Sequence, residues 1–286
     1  MKIPPSLSVF LSASLAAEPV PGAWERFSSA SNAGAWSVND FRTGKVSAAQ
    51  WLSAETGFVA KAMNGAPGVP CGIWFFTGSE AGEGAMVGDF HQAKIRGIRL
   101  RYFVSAEELG EMDCAIYALG PAGSTFYYSG SVLGSGLSPG GAWRTAEFGF
   151  NTDWYYVQDG GFQSTPVTAQ MLATVSEIGF RFLPKAGITT ATSAGIDDVV
   201  LVPTVEAPQV LAGSSAGNFT LGFTPRPGTA CTILKSQTGD LTNWQAVTGQ
   251  ESIAGSSAHL FQTPRSGPKA FYRVEAAEYL TPVVTP

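Results

Sequence analysis

Rings and polar groups are interleaved in Asn151-Thr152-Asp153-Trp154-Tyr155-Tyr156-Val157-Gln158-Asp159. Aromatic rings stack on the C–H faces of pyranose sugars, and Asp, Asn or Arg side chains hydrogen-bond the hydroxyls. Read as a loop, the segment offers Asp153, Trp154 and Tyr155 to such a ligand. Phe126-Tyr127-Tyr128 adds a ring through Tyr127, and Trp143-Arg144 can join them. The other reading makes the segment a strand, with Trp154 and Tyr156 in the core and Tyr155 alone exposed. Trp24, Trp36, Trp74 and Trp244 are expected in cores.

Catalytic arrangements are hard to assemble from the remaining residues. A nucleophilic triad needs a histidine held between an acid and a nucleophile. The two histidines, His91 and His259, fall in different proposed domains. Gly130-Ser131-Val132-Leu133-Gly134 lacks the central serine of a nucleophile elbow. Glycosidases with an acid pair need two carboxylates about 5–10 Å apart. Glu111-Met112-Asp113 begins a Glu-x-Asp-x-x-Glu pattern, but Ile116 stands where the second glutamate belongs. Both acids then read as a turn and a strand entry.

The elements that must position these residues are strands. Gly and Pro number 34 and 18 among 286 residues, which makes turns frequent. Charged residues are 14%, against about 25% in typical soluble domains, so the surface is neutral and hydroxyl-rich. The net charge is −5 and no dense basic face is present, which excludes nucleic acid as a partner. The three cysteines form no CxxC and have no histidine neighbours, so zinc is not supported. Cys71 and Cys114 could pair in an exported protein; otherwise all three are small buried residues.

Met1-Lys2, a short apolar run over 7–17 and the break at Glu18-Pro19 read as a secretory leader over residues 1–17. The run is too short to span a bilayer, and no membrane insertion is expected. Strands are predicted at Trp24–Phe27, Ala35–Val38, Val59–Lys61, Gly72–Phe76, Ile95–Val104, Asp113–Leu119, Phe126–Ser131, Trp143–Phe150, Glu177–Leu183 and Ile196–Val202. Ile95–Val104 alternates most clearly, with Arg99 and Arg101 opposite Ile98, Leu100 and Tyr102. Short helices are predicted at Ser105–Gly110 and Thr168–Ser176. Gly195–Pro203 reads as a closing strand, entered through Asp197-Asp198 and stopped by proline.

These segments set the domains at 23–203 and 209–276, joined by a linker over 204–208 and followed by a disordered tail over 277–286. The fold class is all-β: a jelly-roll β-sandwich, then a small fibronectin-like β-sandwich.

Trp24-Glu25-Arg26-Phe27, Trp74-Phe75-Phe76, Gly88-Asp89-Phe90, Ser176–Phe182 and Gly195–Val199 resemble the laminin-B-like and galactose-binding-like jelly rolls of secreted bacterial proteins, as in planctomycetes and verrucomicrobia. Leu241-Thr242-Asn243-Trp244, followed by Phe271-Tyr272-Arg273-Val274, resembles a small β-module that closes such proteins. The first resemblance implies a sandwich in which a structural calcium can join the first and last strands. Glu25 and Asp198 would be its ligands. Alternatively, Asp197 and Asp198 satisfy turn amides. The expected function is non-catalytic binding outside the cell or at its surface, most plausibly of a glycan or extracellular matrix. A structural or adhesive envelope protein is the first alternative and a jelly-roll glycoside hydrolase the second.

Overall fold

Short runs of β-branched and aromatic residues, cut by Gly, Pro and Asn, pair as strands rather than coil as helices. The structure is a computed structural model and describes residues 18–40, 45–52, 58–64, 72–104, 109–130, 142–184, 191–236, 241, 243–265 and 270–283. The expected leader, residues 1–17, lies outside these. Two large sheets pack face to face. One runs Arg144–Gly149, Ile95–Val104, Ala191–Pro203, Ala23–Glu25, with Phe58–Asn64 also paired to Ala191–Pro203. The other has eight strands in the order Gly161–Pro166, Asp153–Gln158, Gly123–Ser129, Leu109–Gly120, Glu177–Pro184, Ile73–Thr77, Ser37–Asp40, Lys45–Ala48. This is the expected jelly-roll sandwich.

The core lies between the sheets and includes Phe27, Trp36, Phe75, Ile98, Leu100, Phe180 and Phe182, all buried. Trp36 stacks on Phe180 with ring centroids 6.2 Å apart. Ile95–Val104 has the alternation expected of it: Ile98, Leu100 and Tyr102 are buried, while Arg99 and Arg101 are half-exposed. Of the predicted helices, Ser105–Glu108 lies outside the described residues, and Leu109 and Gly110 begin a strand. The second helix is shorter than expected, Ala169–Leu172, and the Thr168 hydroxyl accepts the Met171 N–H at 3.2 Å as its cap. No helix among the described residues is long and apolar enough to cross a membrane.

A small sandwich follows. Leu211–Ser215, Asn218–Phe223 and His259–Pro264 form one sheet. Thr229–Ser236 centres the other, paired with Phe271–Glu278 on one edge and with Gln245–Ala246 and Ile253–Ala254 on the other. Leu221, Phe223, Cys231 and Ile233 fill the space between them. Cys114 and Cys231 are buried free thiols, and Cys71 lies outside the described residues.

The end of the chain departs from expectation. Residues 277–283 are not a disordered tail: Phe271–Glu278 completes the small sandwich, and Thr281–Pro282 lies parallel to Ala23–Trp24. The physical reason is the open edge of the first strand, whose backbone groups need partners. Thr281 N–H donates to the Gly22 carbonyl at 2.8 Å and Val283 N–H to that of Trp24 at 2.9 Å. Val283 joins the main core, and its carbonyl accepts the Asn32 amide at 3.0 Å. Glu278 is bound by Arg96 and Arg99, which also bind Glu147, so four charges join the small sandwich to the large one.

Gly22 makes that approach possible. Its φ is +76°, and a Cβ there would sit 2.2 Å from the Tyr279 carbonyl oxygen. Gly22→Ala is therefore expected to lower stability by roughly 1–3 kcal/mol. The expected readout is a lower urea midpoint and faster proteolysis near residue 279; an unchanged midpoint would show that the returning strand contributes little.

Candidate functional site

Asp153–Gln158 is a strand, as the second reading of this segment has it, and it forms a hairpin with Gly161–Pro166. The two-residue turn Asp159-Gly160 has φ of +52° and +77°, the paired positive values that tight hairpins require. Alternation along the strand then separates the expected ligand residues. Trp154 is fully buried, and its indole donates to the Gly149 carbonyl at 3.2 Å. Tyr127 is also fully buried, with its hydroxyl donating to the Gly123 carbonyl at 3.3 Å. Both are core residues, so neither can stack on a ligand. Tyr155 and Asp153 face out; Tyr155 is 38% exposed, and the Ser164 hydroxyl donates to Asp153 at 3.2 Å.

The outer face of the eight-stranded sheet carries more rings than the sequence reading placed there. Phe162 is 59% exposed and lies opposite Val157 across the hairpin. Tyr128 sits directly opposite Tyr155, and its ring meets that of Phe162 at 6.5 Å. Phe126, Tyr117, Phe76 and Trp74 continue the face inward. Trp74 is thus not core. Its indole lies over Gly179, where a Cβ would come within 2.2 Å of its Nε1, and it meets Phe126 edge to face at 4.5 Å. Trp24 and Trp244 are likewise outside the cores, under the guanidinium groups of Arg26 and Arg273. Of the four tryptophans expected inside, Trp36 is the one fully buried.

Polar groups stand among the rings. Arg181 bonds Asp113 and lies 3.9 Å above the Tyr128 ring. Asp113 is buried, and burial raises its carboxyl pKa despite the arginine. Glu177 faces out opposite Tyr117, and its pKa is pushed up to about 7, mainly by burial and further by Glu80. Exposed rings, a cation and carboxylates on one sheet face suit stacking and hydrogen bonding to a flat, hydroxylated ligand. The period-two spacing Phe126-x-Tyr128 and the Asp159-Gly160 turn were the signals that could have revealed this face in advance.

Glu25 and Asp198 are not brought together. Glu25 points into the core, where its Oε1 accepts the Phe27 N–H and the Asn32 amide, each at 2.9 Å. Asp198 occupies a bulge with φ of +48°, at a register shift in the pairing with Ile95–Val104. On the opposite face from Glu25 it accepts the Trp24 indole N–H at 2.9 Å and Arg101 at 3.0 Å. A single cation cannot take both carboxylates across the sheet, and no group of three metal-ligating side chains is found among the described residues. A cavity of about 380 Å³ near the start of the small sandwich is lined by Glu18, Asp89, Lys94, Glu206 and Arg226 but by no ring.

No family model matches the chain, and no curated protein resembles it in sequence. Among solved structures it is similar to the family 11 carbohydrate-binding module of Clostridium thermocellum, solved with a β-1,3-1,4-mixed-linked tetrasaccharide. The identity is 14% and the TM-score 0.35, covering 59% of this chain and 89% of the module. It is similar to the L4b domain of human laminin alpha-2 at 9% identity and TM-score 0.39, covering 64% of this chain and 99% of that domain. It is also similar to a β-1,2-glucanase from Parabacteroides distasonis at 13% identity and TM-score 0.37. There 92% of this chain is covered but 37% of the enzyme, so the chain spans little more than a third of the glucanase.

Beside Asp198, the buried Asp197 has its pKa pushed up to about 7, mainly by desolvation and next by Asp198. It keeps its proton in the folded protein where the unfolded chain, at its ordinary 3.8, has lost it. Its contribution to stability is full below about pH 4 and falls as pH rises to about 7. Glu177 acts with the same sign. Asp197→Asn should flatten part of that slope and raise stability at pH 8 by about 1–3 kcal/mol, measured by urea unfolding across pH 4–8. A slope identical to the wild type would contradict the assignment.

Proposed function

We propose that this is a secreted, non-catalytic carbohydrate-binding protein, acting outside the cell or at its surface. It holds glycan on the outer face of its eight-stranded sheet. The observation that carries this reading is the exposed pair Tyr155 and Phe162 beside Tyr128, with Asp153, Ser164 and Arg181 placed among the rings. Rings of this kind cover the apolar face of a sugar while neighbouring polar groups take its hydroxyls. The leader pattern at residues 1–17 and the low-charge composition support export.

An adhesive role is the second reading, and one observation favours it. Leu211 and Leu260 are exposed side by side on the small sandwich, flanking Gly222. Asp113 and Glu177 do not form a hydrolytic pair. They are four sheet rows apart, roughly 13 Å along the strands, beyond the usual span of a glycosidase pair.

Glycan-array screening of the full chain is the direct test. Burying a Phe-sized ring against a ligand is worth about 1.5–3 kcal/mol, so Tyr155→Ala and Phe162→Ala should each weaken binding by at least about tenfold. Trp154→Ala should instead lower stability by roughly 3–5 kcal/mol, because it empties a core site. Glycan binding untouched by both surface variants would overturn the site, and no binding to any glycan would favour adhesion.

A further inference from the structure

The aromatic face is unevenly charged. At one end Arg181 and Asp113 neutralise each other beside Tyr128. At the other end stand Glu177 and Glu80, and among the described residues neither makes an ion pair. The fold brings them together. Glu177 begins its strand next to Ile178, which opposes Thr77, and Glu80 follows the turn at that strand's end. There its Oε2 accepts the Gly78 N–H at 3.2 Å. Glu177 Oε1 is buried and takes no hydrogen bond among the described residues. Its neighbour across the pairing is Tyr117, whose ring packs 4.7 Å from Phe126.

Such a corner suits one kind of group. The faces of aromatic rings are negative, as are carboxylates, and both attract a cation. Water, a neutral hydroxyl or a proton can satisfy a carboxylate in part, but a charge-assisted bond from an ammonium group is about twice as strong. A wholly neutral ligand laid over this end would strip water from Glu177 and drive it further toward its protonated form, whereas an ammonium group would hold it ionised and gain a charge-assisted bond. Arg181 cannot serve, because it is bound to Asp113 and stacked on Tyr128.

We propose that this end of the face receives a protonated amine carried by the glycan, so that the preferred ligand is a polysaccharide with unacetylated amino sugars. The inference rests on the carbohydrate-binding reading above and deepens it. The rings near Phe126 and Tyr128 hold the sugar face, and Glu177, assisted by Glu80, takes the ammonium group.

The test compares two β-1,4-linked oligosaccharides on the full chain, glucosamine and N-acetylglucosamine, with a neutral β-glucan as a third ligand. Titration at about pH 7 should show the amine oligomer binding roughly tenfold more tightly than its acetylated counterpart. The ratio should shrink between about 0.05 M and about 0.5 M salt. In Glu177→Gln combined with Glu80→Gln the ratio should collapse to within about threefold. Replacing a carboxyl whose ionisation is already opposed by burial does not threaten folding, so the variant remains readable. Equal binding of the two oligomers by the wild type, or a preference that survives the double substitution, would overturn the inference while leaving the glycan reading intact. Failure of all three ligands to bind would count against both. Displacement of the amine oligomer by a lysine-rich peptide at equal concentration would show a cation seat without sugar selectivity, and would overturn the glycan part.

Discussion

Two successive side chains of a strand cannot occupy the same face of its sheet. In the eight-stranded sheet that rule sorts every candidate residue. Phe180 inward puts Gly179 and Arg181 outward, and Trp154 inward puts Asp153 and Tyr155 outward. The inner set closes the core against Ile98, Leu100 and Ile196. Because the inner set is large and fully buried, the register cannot slip by one residue without exposing it. The same register fixes which side chains make up the outer face.

Small residues shape that outer face as much as rings do. Gly179 and Ala115 lie side by side in the pairing and leave a hollow floor. The Trp74 indole lies over the glycine, and Arg181 reaches past the alanine to cover Tyr128. The rings consequently touch one another edge to face and at a tilt, with centroids 4.5–6.5 Å apart, instead of standing away from the sheet. A preformed, mutually braced ring surface loses little side-chain entropy when a ligand settles on it.

The sheet-forming part of the sequence was largely legible. Ile95–Val104 was delimited to the residue by its alternation, and the closing strand through Asp197 and Asp198 is where its β-branched run placed it. The aromatic site was legible only in part. Asp153-Trp154-Tyr155-Tyr156-Val157 has too few polar residues for a period of two to decide between strand and loop, although the strand reading put Trp154 inward and Tyr155 outward, where they lie. Its hairpin turn, Asp159-Gly160, was the stronger local signal. Tyr127 was assigned to the wrong face for the same reason, being flanked by rings on both sides. Glu177 and Glu80 gave no signal at all, since their approach depends on how a turn closes onto a strand about a hundred residues away.

The returning strand also bears on the order of assembly. The Asn32 side chain and the Val283 carbonyl it binds are 251 positions apart. During synthesis the first strand has neither of these partners until Ala191–Pro203 has emerged, and its other edge stays open until Thr281–Pro282 follows. An open edge is a template for another chain's backbone. A nascent chain of this protein thus carries an unfinished seam from the first strand until residue 283 has been made, and loop-closure entropy makes that contact a slow one to find. Folding helpers that shield strand edges would have their longest opportunity at this seam.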